Sequence, residues 1–267
     1  MRKLLLAAIA LVVVAPFLYM VSVSFMGDTE LLRWPPPLFP HAPTLDNYAA
    51  MVEALPLSRV LLNTAIVAGC VMVAQVLTSA AAGYALARVR FPGREGIIRA
   101  ALALLLLPAI LLLIPRFLMI QALGWTDTYA GLISTELVSI WGIFLMRQAF
   151  VMLPRDVEDA ARLDGAGEWT LFWRVTLPLA RPAVVALALL AFLDQWRNFL
   201  WPLVITTSRR MEVAEVALAH VHTAYAANWP YQIAAAVLLT VPVLLVCVLA
   251  QRYMMSAVSA SGADIRL

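Results

Sequence analysis

From residue 4 to about residue 25 the chain runs without one charged side chain. A hydrocarbon layer about 30 Å thick takes roughly 20 apolar residues to cross as a helix, and this run is long enough. Apolar stretches of comparable length recur at about 60–87, 97–121, 129–150, 183–205 and 231–253. Inside a bilayer every peptide group must find its partner within the protein, so runs of this kind predict helices. Composition agrees. The chain is 63% hydrophobic and 13% charged, where a soluble domain of this size carries about 25% charged residues. The expectation is an all-α polytopic membrane protein of six transmembrane helices, with residues 1–267 as one transmembrane domain.

Arg2 and Lys3 precede the first run as in a signal peptide. The run exceeds the apolar core of about 7–15 residues typical of such peptides and shows no A-x-A cleavage site. It reads as a retained first span. Residues 27–58 carry Pro35, Pro36, Pro37, Pro40 and Pro43 and cannot be a membrane helix. They read as an external loop, as do residues 206–230. If six spans alternate, the basic residues of both termini, of 88–99 and of 147–181 fall on one side. The positive-inside rule makes that side cytoplasmic, with both termini and the 154–182 loop.

Within the spans, Ser79 and Gly83 form a small-xxx-small pair suited to close helix packing. Pro108 and Pro115 predict kinks in the third span. Cys70 and Cys247 read as small buried hydrophobes, neither disulfide nor metal ligand. His220 and His222 would share a face only in an extended loop, so no metal site is expected. No G-x-x-x-x-G-K-[ST] phosphate loop occurs, and no Ser/His/Asp or Cys/His constellation points to nucleophilic catalysis.

The polar interval 154–182, PRDVEDAARLDGAGEWTLFWRVTLPLARP, carries ordered chemistry. Asp156 reads as an N-cap, with Asp159 in the capping-box position. Val157, Ala160, Ala161 and Asp164 then share a helical face at i, i+3, i+4 and i+7. Gly165 sits where the helix should stop, since glycine takes the left-handed conformation freely. A second helical piece, about 168–175, is closed by Pro178. The face is built of small side chains, so another protein's backbone could approach it closely.

This interval resembles the EAA loop of binding-protein-dependent ABC importer permeases, whose pattern is E-A-A, three residues, G, nine residues, then I-x-L-P. Asp159-Ala160-Ala161 stands at the triplet, Gly165 at the glycine, and Val175-Thr176-Leu177-Pro178 closes the pattern. Asp159 replaces Glu and Val175 replaces Ile, and both keep the chemistry. The longer string A-A-R-L-D-G-A, with Phe172 and L-P-L-A-R-P, resembles the carbohydrate-uptake class, in particular the maltose-type second permease subunit. Thr44-Leu45-Asp46-Asn47-Tyr48 resembles an external loop of the same class; alone, it reads as a turn in which Asp and Asn supply local backbone bonds.

The resemblance implies a type I importer permease fold in a prokaryotic inner membrane. Asp159, Ala160, Ala161, Asp164, Gly165 and Pro178 would form the coupling surface for a separate ATPase. It implies a second homologous permease, two cytoplasmic ATP-binding subunits, an extracytoplasmic solute-binding protein and a sugar as solute, with no nucleic acid. ATP and Mg would be bound by the partner subunits, and this chain would hold no cofactor and catalyse no reaction. The alternatives are another solute (glycerol-phosphate, a polyamine or a peptide) or a secondary transporter, although no convincing internal repeat favours the last.

A solute path is expected along the fifth span. Asp194, Arg197, Asn198 and Trp201 recur at i, i+3, i+4 and i+7, opposite Leu189, Leu193, Trp196, Leu200 and Val204. Carboxylate, guanidinium, amide and indole are groups that bind sugar hydroxyls and stack on sugar rings. Trp196, Phe199, Leu200, Trp201 and Pro202 match the family's W-N-x-F and L-W-P, whereas Arg197 stands where the family has Asn. An Asp194–Arg197 pair within the helix is the competing reading. Glu136 in the fourth span joins the path, because an intramembrane charge is costly and faces the bundle interior. Arg116 either pairs with it or snorkels to the outer interface.

Overall fold

The computed structural model describes residues 2–31, 33–225 and 228–261. The side chains of Arg2, Lys3 and Arg252, and the whole of Arg266, lie outside what is described. Among the described residues the regular structure is entirely helical, as the apolar runs predict. Three helices are long and apolar enough to cross a membrane: Leu4–Ser24, Leu57–Arg88 and Trp229–Leu249.

The other three runs are broken, each at an identifiable residue. The third is a pair, Arg94–Leu105 and Ala109–Ala122, bent by 95°. Pro108 lacks an amide hydrogen and pushes Leu107 away from helical geometry, which ends the first half there. Pro115 leaves its helix Leu113–Ala122 intact, because amides of the first turn have no intrahelical acceptor.

The run 129–150, expected as one span, divides into Tyr129–Ser134 and Ile140–Met152. Each half has its own hydroxyl N-cap. Thr128 Oγ1 accepts from the Gly131 amide at 3.2 Å, and Ser139 Oγ accepts from the Gly142 amide at 3.0 Å.

The run 183–205 divides into Arg181–Trp196 and Leu200–Ile205. Pro202 offers no hydrogen to the Asn198 carbonyl and its ring crowds that oxygen, so the ladder opens over 197–199. The expected stripe of Asp194, Arg197, Asn198 and Trp201 on one continuous helix is therefore corrected.

Another correction concerns the cysteines. Cys70 is exposed and Cys247 half-buried. An apolar run in a membrane protein shows part of its surface outward, so membership of the run does not imply burial.

Backbone contacts gather the described residues into two compact units, those of 2–63 with 212–245 and those of 64–211 with 246–261. The first is built on Met51, Leu55, Val60, Ala217, Val221, Ala234 and Leu239. Asn47 donates through Nδ2 to the carbonyls of Ser24 and Met26, both at 2.8 Å. Its side chain thus fixes the exit from helix 2–24 across a long sequence interval instead of making a local turn bond. Asn63 likewise donates to the Glu212 carbonyl at 2.8 Å. His220 and His222 lie on the helix Ala214–Ala224, where a separation of two residues places them on different faces.

In the second unit, helix 57–88 meets helix 140–152 at two glycines. A Cβ on Gly83 would lie 2.8 Å from Met146 Cβ, and one on Gly142 would lie 2.6 Å from Ser79 Oγ. Such close approach is what the Ser79–Gly83 pattern predicts. Tyr84, Phe150, Phe172 and Leu187 fill the space beside it.

Candidate functional site

Two places in the second unit carry chemistry. The first is the 154–182 interval. Its helix, Asp156–Leu163, starts from Arg155, whose side chain makes no cap bond. Asp156 is the first helical residue and not the cap expected for it. Arg155 has helical dihedrals, so the helix begins one residue early. Asp156, Glu158 and Asp159 crowd the first turn and Arg162 the last, an arrangement that complements the helix dipole. Asp159 pairs with Arg162 at 3.2 Å instead of closing a capping box.

The helix ends at Gly165, with φ +86. The Gly165 amide donates to the Arg162 carbonyl and the Ala166 amide to the Ala161 carbonyl, each at 3.0 Å. These two bonds are the Schellman pairing, which needs a left-handed residue at Gly165.

One side of this helix is anchored. Glu158 is buried and accepts from Arg88 Nε at 2.8 Å, while Arg88 Nη2 reaches the Leu153 carbonyl at 2.8 Å. Tyr84, one turn earlier on helix 57–88, donates to Glu168 Oε2 at 2.8 Å. Arg162 Nη2 holds the other oxygen of Glu168 at 3.0 Å. The Tyr84 ring packs between Phe150 and Phe172, with centroids at 5.9 and 5.1 Å.

The other side is open. Asp159, Ala160, Asp164, Gly165 and Pro178 are exposed and Ala161 is half-buried. Leu163 shows 90% and Trp169 75% of their surface. The interval thus presents small and apolar groups outward beside the exposed Asp159 and Asp164, while Glu158 is tied inward. Beyond it, Glu168–Leu179 and Arg181–Trp196 meet at 78°. The first of these contains a π-helical turn, Leu171–Thr176, and the second has Pro182 in its first turn.

The second place is a cavity of about 370 Å³. Arg116, Glu136, Asp194, Arg197, Asn198, Phe199 and Trp201 line it, together with the apolar Ala109, Ile110 and Leu113. The break at 197–199 places these groups together, and the break at 135–139 contributes Glu136. Arg116 pairs with Glu136 and also donates to Thr135 Oγ1 at 2.5 Å. Its guanidinium lies 4.3 Å over the Trp201 ring. Trp201 is buried, and its Nε1 donates to the Gly131 carbonyl at 3.2 Å.

Asp194 and Arg197 are exposed to the cavity and form no ion pair with each other among the described residues. Asp194 also borders a neighbouring cavity of about 340 Å³ with Gln75, Ser139 and Trp141. Gln75 donates to the Glu136 carbonyl at 2.8 Å, which steadies the 135–139 break.

Of the residues expected from sequence, Asp159, Ala160, Asp164, Gly165 and Pro178 are exposed, and Glu136, Asp194, Arg197, Asn198 and Trp201 share one cavity; the anchor was not expected. Tyr84 and Arg88 stand at i and i+4 on one helix face, but their partners Glu168 and Glu158 are 84 and 70 residues away in sequence.

A family described as "Binding-protein-dependent transport system inner membrane component" matches residues 75–258. The arabinooligosaccharides transport system permease protein AraQ of Halalkalibacterium halodurans is 33% identical, over 96% of this chain and 93% of its own. The diacetylchitobiose uptake system permease protein NgcG of Streptomyces coelicolor is 35% identical, over 94% and 84%. The sn-glycerol-3-phosphate transport system permease protein UgpE of Rhizobium meliloti is 32% identical, over 91% and 89%. A solved chain from a bacterial ABC transporter that imports the acidic polysaccharide alginate superposes with a TM-score of 0.79. It is 24% identical and covers 94% of each chain, so the fold is shared.

Proposed function

The chain belongs to the family of binding-protein-dependent transport system inner membrane components, and from that premise we propose that it is the permease subunit of an ATP-driven importer for a sugar or oligosaccharide. The observation that carries this reading is the 156–163 helix, anchored on one side by Arg88 through Glu158 and by Tyr84 through Glu168 and Arg162, and open on the other. A partner ATPase docks on Asp159, Ala160, Ala161, Asp164 and Gly165, with Pro178 at the far end. Its motion passes through Glu158 and Glu168 into helix 57–88. ATP and Mg belong to that partner. A second permease chain completes the path, and a solute-binding protein delivers the sugar from outside.

Six spans are proposed: helices 2–24, 57–88 and 229–249, the bent 94–122 pair, the broken 129–152 run and the broken 181–205 run. Both termini and the 154–182 loop are cytoplasmic by the charge distribution, with 27–58 and 206–230 outside. Single cysteines placed in a variant lacking Cys70 and Cys247 test this. Ala160→Cys should react with a membrane-impermeant thiol reagent only from the cytoplasmic side.

The solute passes Asp194, Arg197, Asn198, Trp201 and Glu136. AraQ and NgcG carry names of sugar systems, and UgpE the name of a glycerol-phosphate system. The cavity favours the sugar, because Glu136 neutralises Arg116 and Asp194 faces the same space as Arg197. A phosphate would meet no net positive charge there. Proteoliposomes with the ATPase, the second permease and the binding protein test the assignment. Uptake of an arabino-oligosaccharide or diacetylchitobiose, and not of glycerol 3-phosphate, is expected; the reverse preference would remove the sugar reading.

A further inference from the structure

The segment joining helix 57–88 to the 95° bend holds a group of arginines that the transport reading leaves unused. Arg90, Arg94 and Arg99 line an open cavity of about 470 Å³, with Glu95 the one acid on its wall. The neighbouring Arg88 is spent on Glu158. Among the described residues none of the other three forms an ion pair. Arg99 Nε reaches only the Glu95 carbonyl, at 3.3 Å, and Arg94 Nε is buried with no hydrogen-bond partner. A guanidinium nitrogen withdrawn from water without an acceptor is costly, and a phosphate oxygen is the acceptor that suits it.

The same helix supplies a second kind of surface. Arg99, Leu102 and Leu106 follow at i, i+3 and i+7, so they share a face, and the two leucines are 46% and 83% exposed. Phe91 extends apolar surface into the cavity wall. Three cations over an apolar stripe, in a chain that crosses a membrane, match a molecule with an anionic head and hydrocarbon tails. A free phosphate would use the cations and leave the stripe unused. We infer that the 89–106 elbow binds an anionic phospholipid, its phosphate on Arg90, Arg94 and Arg99 and its acyl chains along Leu102 and Leu106. This rests on the proposed topology, which puts the elbow at the cytoplasmic leaflet.

The test uses the assembled transporter in phosphatidylcholine nanodiscs with a trace of photoactivatable phosphatidylglycerol. Adducts should concentrate in the peptide containing residues 90–106 and be competed by unlabelled phosphatidylglycerol. Phosphatidylcholine and millimolar inorganic phosphate should not compete. The Arg90→Gln, Arg94→Gln, Arg99→Gln variant should lose roughly a hundredfold in labelling, since each basic side chain near an anionic leaflet contributes about a factor of five. The corresponding triple Lys variant should keep most of it. Adducts spread evenly over the wild-type chain, equal competition by phosphatidylcholine, or competition by phosphate alone would overturn the lipid site. ATP-driven uptake by the same preparation separates the two readings: normal uptake with no adduct at 90–106 overturns the lipid site and leaves the transport assignment standing.

Discussion

Gly165 is constrained by one backbone angle. No atom lies within 4 Å of the place a Cβ would take, so space is not its constraint; its φ of +86 is. An L-residue there costs about 1–2 kcal/mol, more for a β-branched one. Gly165→Val should therefore insert and assemble normally but lose stimulated ATP hydrolysis, and Gly165→Asn, which tolerates the left-handed region, should keep most of it. Equal ATPase stimulation in wild type and Gly165→Val would contradict this. Gly83 is constrained differently. Its added Cβ would strike Met146 Cβ at 2.8 Å, so Gly83→Val should cost about 1–3 kcal/mol of overpacking and lower the midpoint of thermal unfolding in detergent. Gly165 was legible from sequence because its turn is local, and the Ser79–Gly83 pair was legible as a spacing. The role of Asn47 was not, since its acceptors Ser24 and Met26 lie more than twenty residues away in sequence.

At the scale of elements, the anchor between helix 57–88 and helix 156–163 makes a sharp prediction. Arg88 and Glu158 are buried together at 2.8 Å, and removing one partner of a buried pair costs about 3–5 kcal/mol. Glu158→Gln or Arg88→Gln should uncouple ATP hydrolysis from uptake. The double variant Arg88→Met, Glu158→Met should recover stability but not coupling, because the two helices then slide on an apolar contact. Recovery of coupling as well would reduce the pair to packing.

A second element-scale contact is Asp127, which accepts the amides of Thr207 at 2.9 Å and Ser208 at 3.0 Å. Burial pushes its carboxyl up, but the Ser208 and Thr207 donors outweigh this and hold it below its ordinary value. A carboxyl depressed in the fold contributes its full stability above the ordinary carboxylate range and loses it as pH falls through the lowered value. Thermal stability should drop on acidification below about pH 4, and Asp127→Asn should flatten that part of the profile. An unchanged acid limb in the variant would contradict the contact's role.

The helix breaks were legible where proline causes them, at Pro108. They were hidden where a hydroxyl cap restarts a helix within an apolar run, as Ser139 does. Pro202 was visible, but its effect on Asn198 was masked by the favourable spacing of Asp194, Arg197 and Trp201. The break brings these residues to one cavity by a route that helix periodicity does not describe.

For the whole molecule, apolar runs and one polar interval were enough to reach a helical membrane protein of the importer permease fold. Membrane solvation forces the helical part of that reading, because long uncharged runs have few stable alternatives; the permease fold was implied by the resemblance of the 154–182 interval. The division of contacts into two units was not legible, since it depends on which distant helices share a core, as Met51, Ala217 and Ala234 do. Nor was the fine structure of the cavity around Arg116 and Asp194. The chain is proposed to move solute only when a docked ATPase drives it through the 156–163 helix. The direct measurement is oligosaccharide uptake by proteoliposomes holding both permease chains and the binding protein, with and without the ATPase subunits. Uptake should require the ATPase and ATP, and should vanish in Gly165→Val with the complex intact. Concentrative uptake by the permease chains alone would contradict the account and make the protein a secondary transporter.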